Sequence, residues 1–111
     1  MLLTFEALGK DGLIVSVFGE LGEADAPALL ERLFTFVDMG FRRTFLDMGR
    51  CRLRDWSALD VLVACARRAD GREVAVLTPT RELRRLLEAT GLNVAVPVYG
   101  SRAEALQQAV A

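Results

Sequence analysis

The chain reads as an α/β fold, a mixed β-sheet of about five strands with four helices in the order ββαβαβαβα. Three observations predict it. Two short apolar runs near the start are separated only by Gly9-Lys10-Asp11-Gly12, a turn-forming set between β-rich segments. Beyond them, short strand-like runs alternate with longer stretches of helical period, which implies parallel strands joined by crossovers. Finally, 111 residues with 52% hydrophobic and 26% charged side chains make one ordinary globular domain, expected over residues 1–111.

Taken in order, Leu2 to Leu8 and Leu13 to Phe18 are the hairpin strands. Asp25 to Met39 places Ala28, Leu29, Leu33, Phe36 and Val37 on one stripe, with Pro27 suited to a first turn and Gly40 to a stop, so an amphipathic helix follows. Arg43 to Met48 is the next strand, flanked by Gly49. Asp55 to Ala69 is a second helix with Asp55 as its N-cap and Asp70-Gly71 as its stop; its middle is apolar nearly all round apart from Asp60, which predicts deep burial. Val74 to Leu77 is a strand, Thr80 to Thr90 a helix closed by Gly91, Val94 to Val98 a last strand and Ser101 to Val110 a closing helix.

Composition excludes several functions. Fourteen basic residues against fifteen acidic ones leave a net charge of −1, which disfavours nucleic acid as a partner. Histidine is absent, removing the commonest general base and metal ligand together. Cys51 and Cys65 fit neither a Cys-x-x-C redox pair nor a zinc pattern, and a reducing cytoplasm suits them best. The start, Met1-Leu2-Leu3-Thr4-Phe5-Glu6, reads as neither a leader nor an anchor, and the longest apolar run, Val61 to Ala66, is far short of a membrane span. Neither a Gly-rich phosphate loop nor a dinucleotide fingerprint occurs, so no cofactor is expected.

Four segments in order carry a family resemblance: Gly19-Glu20-Leu21-Gly22; Asp55-Trp56-Ser57-Ala58-Leu59; Arg84-Arg85-Leu86-Leu87-Glu88-Ala89-Thr90-Gly91-Leu92; and Ser101 with Glu104-Ala105-Leu106. Over nearly its whole length the chain resembles the STAS family, the domain shared by anti-sigma factor antagonists and the cytoplasmic tails of sulfate transporters. The resemblance implies a STAS-like fold and a non-enzymatic regulatory module. It also implies docking through the Gly22 to Pro27 segment, with Asp25, and the Arg54 to Leu59 helix start, with Asp55, Trp56 and Ser57. The implied partner is a kinase-type anti-sigma factor whose capture releases a sigma factor. The alternative is a small soluble STAS subunit or scaffold of a lipid or anion transport complex, or of a sensory complex.

The departures are informative. In the family, the serine directly after the helix-opening aspartate is phosphorylated by the partner kinase; here that position is Trp56, which has no hydroxyl. A phosphate at a helix N-terminus is tolerated by the fold, because unpaired N–H groups and the dipole face it, yet it adds about −1.5 to −2 charges to the docking surface. Trp56 cannot carry that switch. Its indole is either an outward docking knob, of the residue type most enriched at binding hot spots, or a lid folded over Leu59 and Val63. Ser57 is the remaining phospho-acceptor candidate, although a helix-start serine ordinarily bonds to backbone. Gly22 replaces a family acidic residue and Ala58 a family glycine.

Other chemistry-bearing residues have plainer readings. Asp47 at a strand end invites comparison with a receiver aspartate, but a receiver needs further acidic residues for magnesium and a late lysine, and the only lysine is Lys10. It should bond to nearby loop backbone. Cys51-Arg52 lacks the spacing of a phosphatase loop, since the position six residues on is Ser57, and it reads as a loop thiol whose pKa Arg50, Arg52 and Arg54 would lower. Cys65 belongs to the core. Arg42, Arg43, Arg50, Arg52 and Arg54 gather before the second helix, either as a basic rim for an acidic protein or lipid head groups or, as is usual for such clusters, simply solvated.

Overall fold

The structure is a computed structural model that describes residues 1–110; the expected domain boundary at 111 lies outside them. The element order is as expected: strands β1 (Leu2–Leu8), β2 (Gly12–Leu21), β3 (Arg43–Leu53), β4 (Glu73–Leu77) and β5 (Val98–Tyr99), and helices α1 (Ala26–Val37), α2 (Ser57–Ala69), α3 (Arg81–Thr90) and α4 (Arg102–Val110). The sheet runs β1-β2-β3-β4-β5, with β1 antiparallel to β2 and every later pair parallel.

Because the strands follow one another in chain order, crossovers of one hand put α1, α2 and α3 on the same sheet face. The buried side chains agree. Leu29, Leu33 and Val37 of α1, Val61, Leu62 and Cys65 of α2, and Leu83 and Leu87 of α3 pack with Val15, Val17, Leu46, Met48 and Val76 in the larger core. On the opposite face a smaller core joins Ile14, Phe45, Ala75 and Leu77 to Ala105 of α4. Alternation along each strand assigns these two sets to opposite faces. On the open flank Phe5 rests against Phe36, with ring centroids 5.2 Å apart.

The caps follow the chemistry of their residues. Thr80 accepts the Leu83 N–H at 3.2 Å as the N-cap of α3. Gly91 ends that helix at φ +72° and Asp70 ends α2 in the left-handed region at φ +46°. Arg68 holds Asp38 through two bonds of 2.8 and 2.7 Å, and Arg72 donates to the Val37 carbonyl at 2.6 Å, tying the ends of α1 and α2 together.

Three expectations are corrected. The last strand is not Val94 to Val98: Val94, Ala95 and Val96 donate their N–H groups back to Gly91 and Leu92 in a 3₁₀ turn, so pairing with β4 begins only at Val98. β3 does not stop at Met48 but continues to Leu53 beside an equally prolonged β2, so Cys51 is a buried strand residue and not a loop thiol. Helix α2 begins at Ser57, with Trp56 and not Asp55 at the N-cap position. Asp55 has moved into a different task.

Candidate protein-docking site

β2 and β3 end side by side, Leu21 opposite Leu53, and the Arg54 N–H donates to the Leu21 carbonyl at 2.9 Å. From there the chain leaves in two turns, Gly22 to Asp25 into α1 and Arg54 to Trp56 into α2. Gly22 lets them touch: a Cβ at that position would stand 3.3 Å from Cβ and Cδ of Arg54 and 3.4 Å from Asp55 Oδ2. The Gly22 N–H donates to Asp25 Oδ2 at 3.0 Å, while the Gly22 carbonyl accepts from Asp25 and Ala26, so the first turn closes on itself.

Asp55 joins the turns. Its Oδ2 accepts the Glu23 N–H at 2.9 Å, and its Oδ1 accepts both the N–H and the hydroxyl of Ser57, at 2.9 and 2.5 Å. It therefore satisfies one of the free N–H groups at the start of α2 from one residue before the N-cap position. Those donors, the Ser57 hydroxyl first, hold its carboxyl below the usual aspartate pKa. Glu20 accepts a 2.9 Å ion pair from Arg54 at the rim.

With the backbone so held, Trp56 projects outward with 67% of its surface exposed. The indole does not fold back as a lid. It lines a shallow cleft of about 410 Å³ together with Glu23, Asp55, Ser57, Leu59 and Asp60. Leu59 and Asp60 also border an apolar groove of about 350 Å³ that runs on past Val63 to Leu92 and Val94, the latter 86% exposed. All seven residues picked from the sequence, Gly22, Asp25, Arg54, Asp55, Trp56, Ser57 and Leu59, thus gather at the carboxyl ends of β2 and β3. Val94, at the far end of this groove, reads from the sequence as a strand residue, because the apolar Val94-Ala95-Val96 run imitates one.

The other candidates have structural partners. Asp47 Oδ1 accepts the Gly49 N–H at 3.1 Å, as expected, and the Thr78 hydroxyl at 2.5 Å. Burial pushes the Cys51 thiol up, contrary to the lowering its arginine neighbours would produce, and pushes Cys65 up to about 12. The arginine rim is divided: Arg43 pairs with Glu73 at 3.2 Å, and Arg52 and Arg54 share Glu20. Among the described residues no group of three or more Cys, Asp or Glu side chains converges as a metal site, and no helix is long and apolar enough to cross a membrane.

A hairpin feeding three parallel crossovers, with a helix start displayed beside two strand ends, defines the STAS class of α/β folds. Solved members superpose on it closely. An anti-sigma factor antagonist from Mycobacterium paratuberculosis is 24% identical, with 96% of this chain and 92% of that one covered at a TM-score of 0.83. The Thermotoga maritima protein TM1081 is 23% identical over 96% and 92% of the two chains, at 0.84. The Bacillus cell fate determinant SpoIIAA, in its phosphorylated form, is 16% identical over 97% and 99%, at 0.71. No curated protein matches the chain. A family model described as "Mlab, STAS domain" matches residues 5–98, and the chain belongs to that STAS family.

Proposed function

We propose that this protein is a non-enzymatic regulatory module that binds a protein partner through the Gly22–Asp25 turn and the start of α2, with Trp56 as its anchor. The observation that carries this is the 67% exposure of Trp56 on a backbone clamped by Asp55. A large amphipathic ring on a rigid support loses little conformational freedom on docking, and the adjoining apolar groove extends the surface it can bury. The partner class is a kinase-type anti-sigma factor, in keeping with the similarity to an anti-sigma factor antagonist. Two free buried thiols, Cys51 and Cys65, support a cytoplasmic setting.

Binding is not switched by phosphorylation at the family position. Trp56 has no hydroxyl, and the Ser57 hydroxyl is committed to Asp55, whose carboxylate would repel a phosphate placed there. That same feature favours a second reading, a permanent STAS subunit of a transport or sensory assembly.

Affinity purification from the native cell followed by mass spectrometry tests the proposal. Wild-type protein should recover a kinase-type anti-sigma factor, and Trp56→Ala should lose it by about tenfold or more. Recovery of transporter or sensory subunits in fixed ratio selects the second reading. Undiminished recovery of every partner by Trp56→Ala would remove the docking site altogether.

A further inference from the structure

The sheet face that carries α4 is only partly covered by it. In the uncovered part, strand register sets a polar row across the sheet: Thr4 lies opposite Ser16, and Ser16 opposite Asp47. Thr78 completes the row by donating its hydroxyl to Asp47 Oδ1. Below it the same face is Ile14, Phe45, Ala75 and Leu77, packed under Ala105. The polar row forms the floor of a cleft of about 440 Å³, walled by Phe18 and Arg50.

Three further features converge there. The β2–β3 register shifts between Ser16 and Phe18, a bulge of the kind that re-aims side chains beside functional sites. Thr78, β-branched, is held at φ +47°, where such residues are rarely found. Gly49 is pressed so closely against Thr78 that a Cβ would stand 2.8 Å from its carbonyl oxygen. Asp47, Gly49 and Thr78 are therefore locked in one arrangement, with Asp47 Oδ1 taking both protein donors and no described residue bonding Oδ2. At the wall the Arg50 guanidinium stands 5.9 Å from the Phe18 ring centroid and pairs with no described carboxylate, whereas Arg102 across the mouth is neutralised by Glu6.

A ligand that fits must bring hydroxyl donors to a carboxylate and to neighbouring Thr and Ser hydroxyls, an apolar ring face to Phe18, and one anionic group to Arg50. A simple anion would meet Asp47 and be repelled; a neutral sugar would leave Arg50 unused. We propose that this cleft binds a small sugar phosphate, with the sugar hydroxyls on Asp47, Ser16 and Thr4 and the phosphate on Arg50. The site lies on the sheet face opposite the helix layer that includes α2. It is independent of the proposed docking surface.

The test is a titration of the full chain, followed by amide chemical shifts, with ribose 5-phosphate, glucose 6-phosphate and fructose 6-phosphate, and with glucose and inorganic phosphate as separate arms. At least one sugar phosphate should give saturable shifts at Ser16, Gly49, Arg50 and Thr78, with glucose and phosphate each weaker by about tenfold or more. Arg50→Gln, an exposed change that should leave the fold intact, and Asp47→Asn should each weaken it by a similar factor, while Trp56→Ala should not. Absence of saturable shifts with all three sugar phosphates, equal binding of inorganic phosphate, or binding indifferent to Arg50→Gln would overturn the assignment.

Discussion

The carboxylate of Asp55 accepts the backbone N–H of Glu23 at 2.9 Å, a bond between residues 32 positions apart that closes two separate helix-leading turns into one surface. The same side chain holds Ser57, so the geometry around Trp56 depends on a single carboxylate.

Removing that carboxylate should lower stability and loosen the site. Asp55→Ala is expected to reduce the thermal midpoint by a few degrees and to speed amide exchange at Glu23 and Ser57, both read by calorimetry and hydrogen exchange. Unchanged exchange at Glu23 would show that the bond does not restrain the turn.

The pH dependence has a definite sign. Asp55 has a folded-state pKa below the ordinary value of 3.8, so its contribution is fully present above that value and is lost as pH falls through the depressed one. Asp38, held down chiefly by its hydrogen bond from Arg68, behaves in the same sense. Urea midpoints should therefore decline in acid for the wild type, and Asp55→Asn should show a shallower decline because only the Asp38 part remains of this pair.

Trp56 should report its own exposure. As the single tryptophan of the chain, it should emit at the red-shifted wavelength of a hydrated indole and be quenched readily by acrylamide. Trp56→Ala should alter folding stability by no more than about 0.5 kcal/mol, the range of surface changes. A blue-shifted, protected emission in the isolated protein would contradict the exposed ring.

Gly49→Ala should be costly for a reason unrelated to helix or strand preference. The added Cβ would approach the Thr78 carbonyl oxygen to 2.8 Å, and backbone cannot yield as a flexible side chain does. A loss of about 1–3 kcal/mol in urea unfolding is expected, in the range of overpacked sites.

Both thiols should be silent in the native state. Cys51 and Cys65 are 2% and 0% exposed, and burial raises both pKa values, so a thiol-directed disulfide reagent at neutral pH should modify neither until denaturant is added. Prompt native labelling of Cys51 would mean that its strand opens readily.

Much of the fold was legible because it is written in short-range patterns. Leu2 to Leu8 emerged with its expected bounds, and the stops at Asp70-Gly71 and Gly91 reflect left-handed backbone that few other residues adopt. The failures share one cause. Val94 to Val96 has strand composition, yet its N–H groups are spent on a local turn; the β3 segment after Gly49 has no strong β signal, yet β2 lies beside it and completes the ladder. Asp55 looked like an N-cap from its neighbours alone, whereas its partner Glu23 is remote in sequence.

The sequence by itself determined the order of elements, the hairpin, Cys65 as a core residue, and the membership that Gly19 to Gly22 and Asp55 to Leu59 signal; that Cys51 is buried in β3 was decided by the tertiary structure. The element order and the hairpin rest on periodicity and local backbone chemistry, which act over a few residues; the membership rests on motif resemblance. Only the tertiary structure decided that Trp56 stands in solvent, that Asp55 spans two turns, and that Thr4, Ser16 and Asp47 align in one row. Such facts depend on which strand ends meet and in what register, and packing settles that only once the whole sheet has formed.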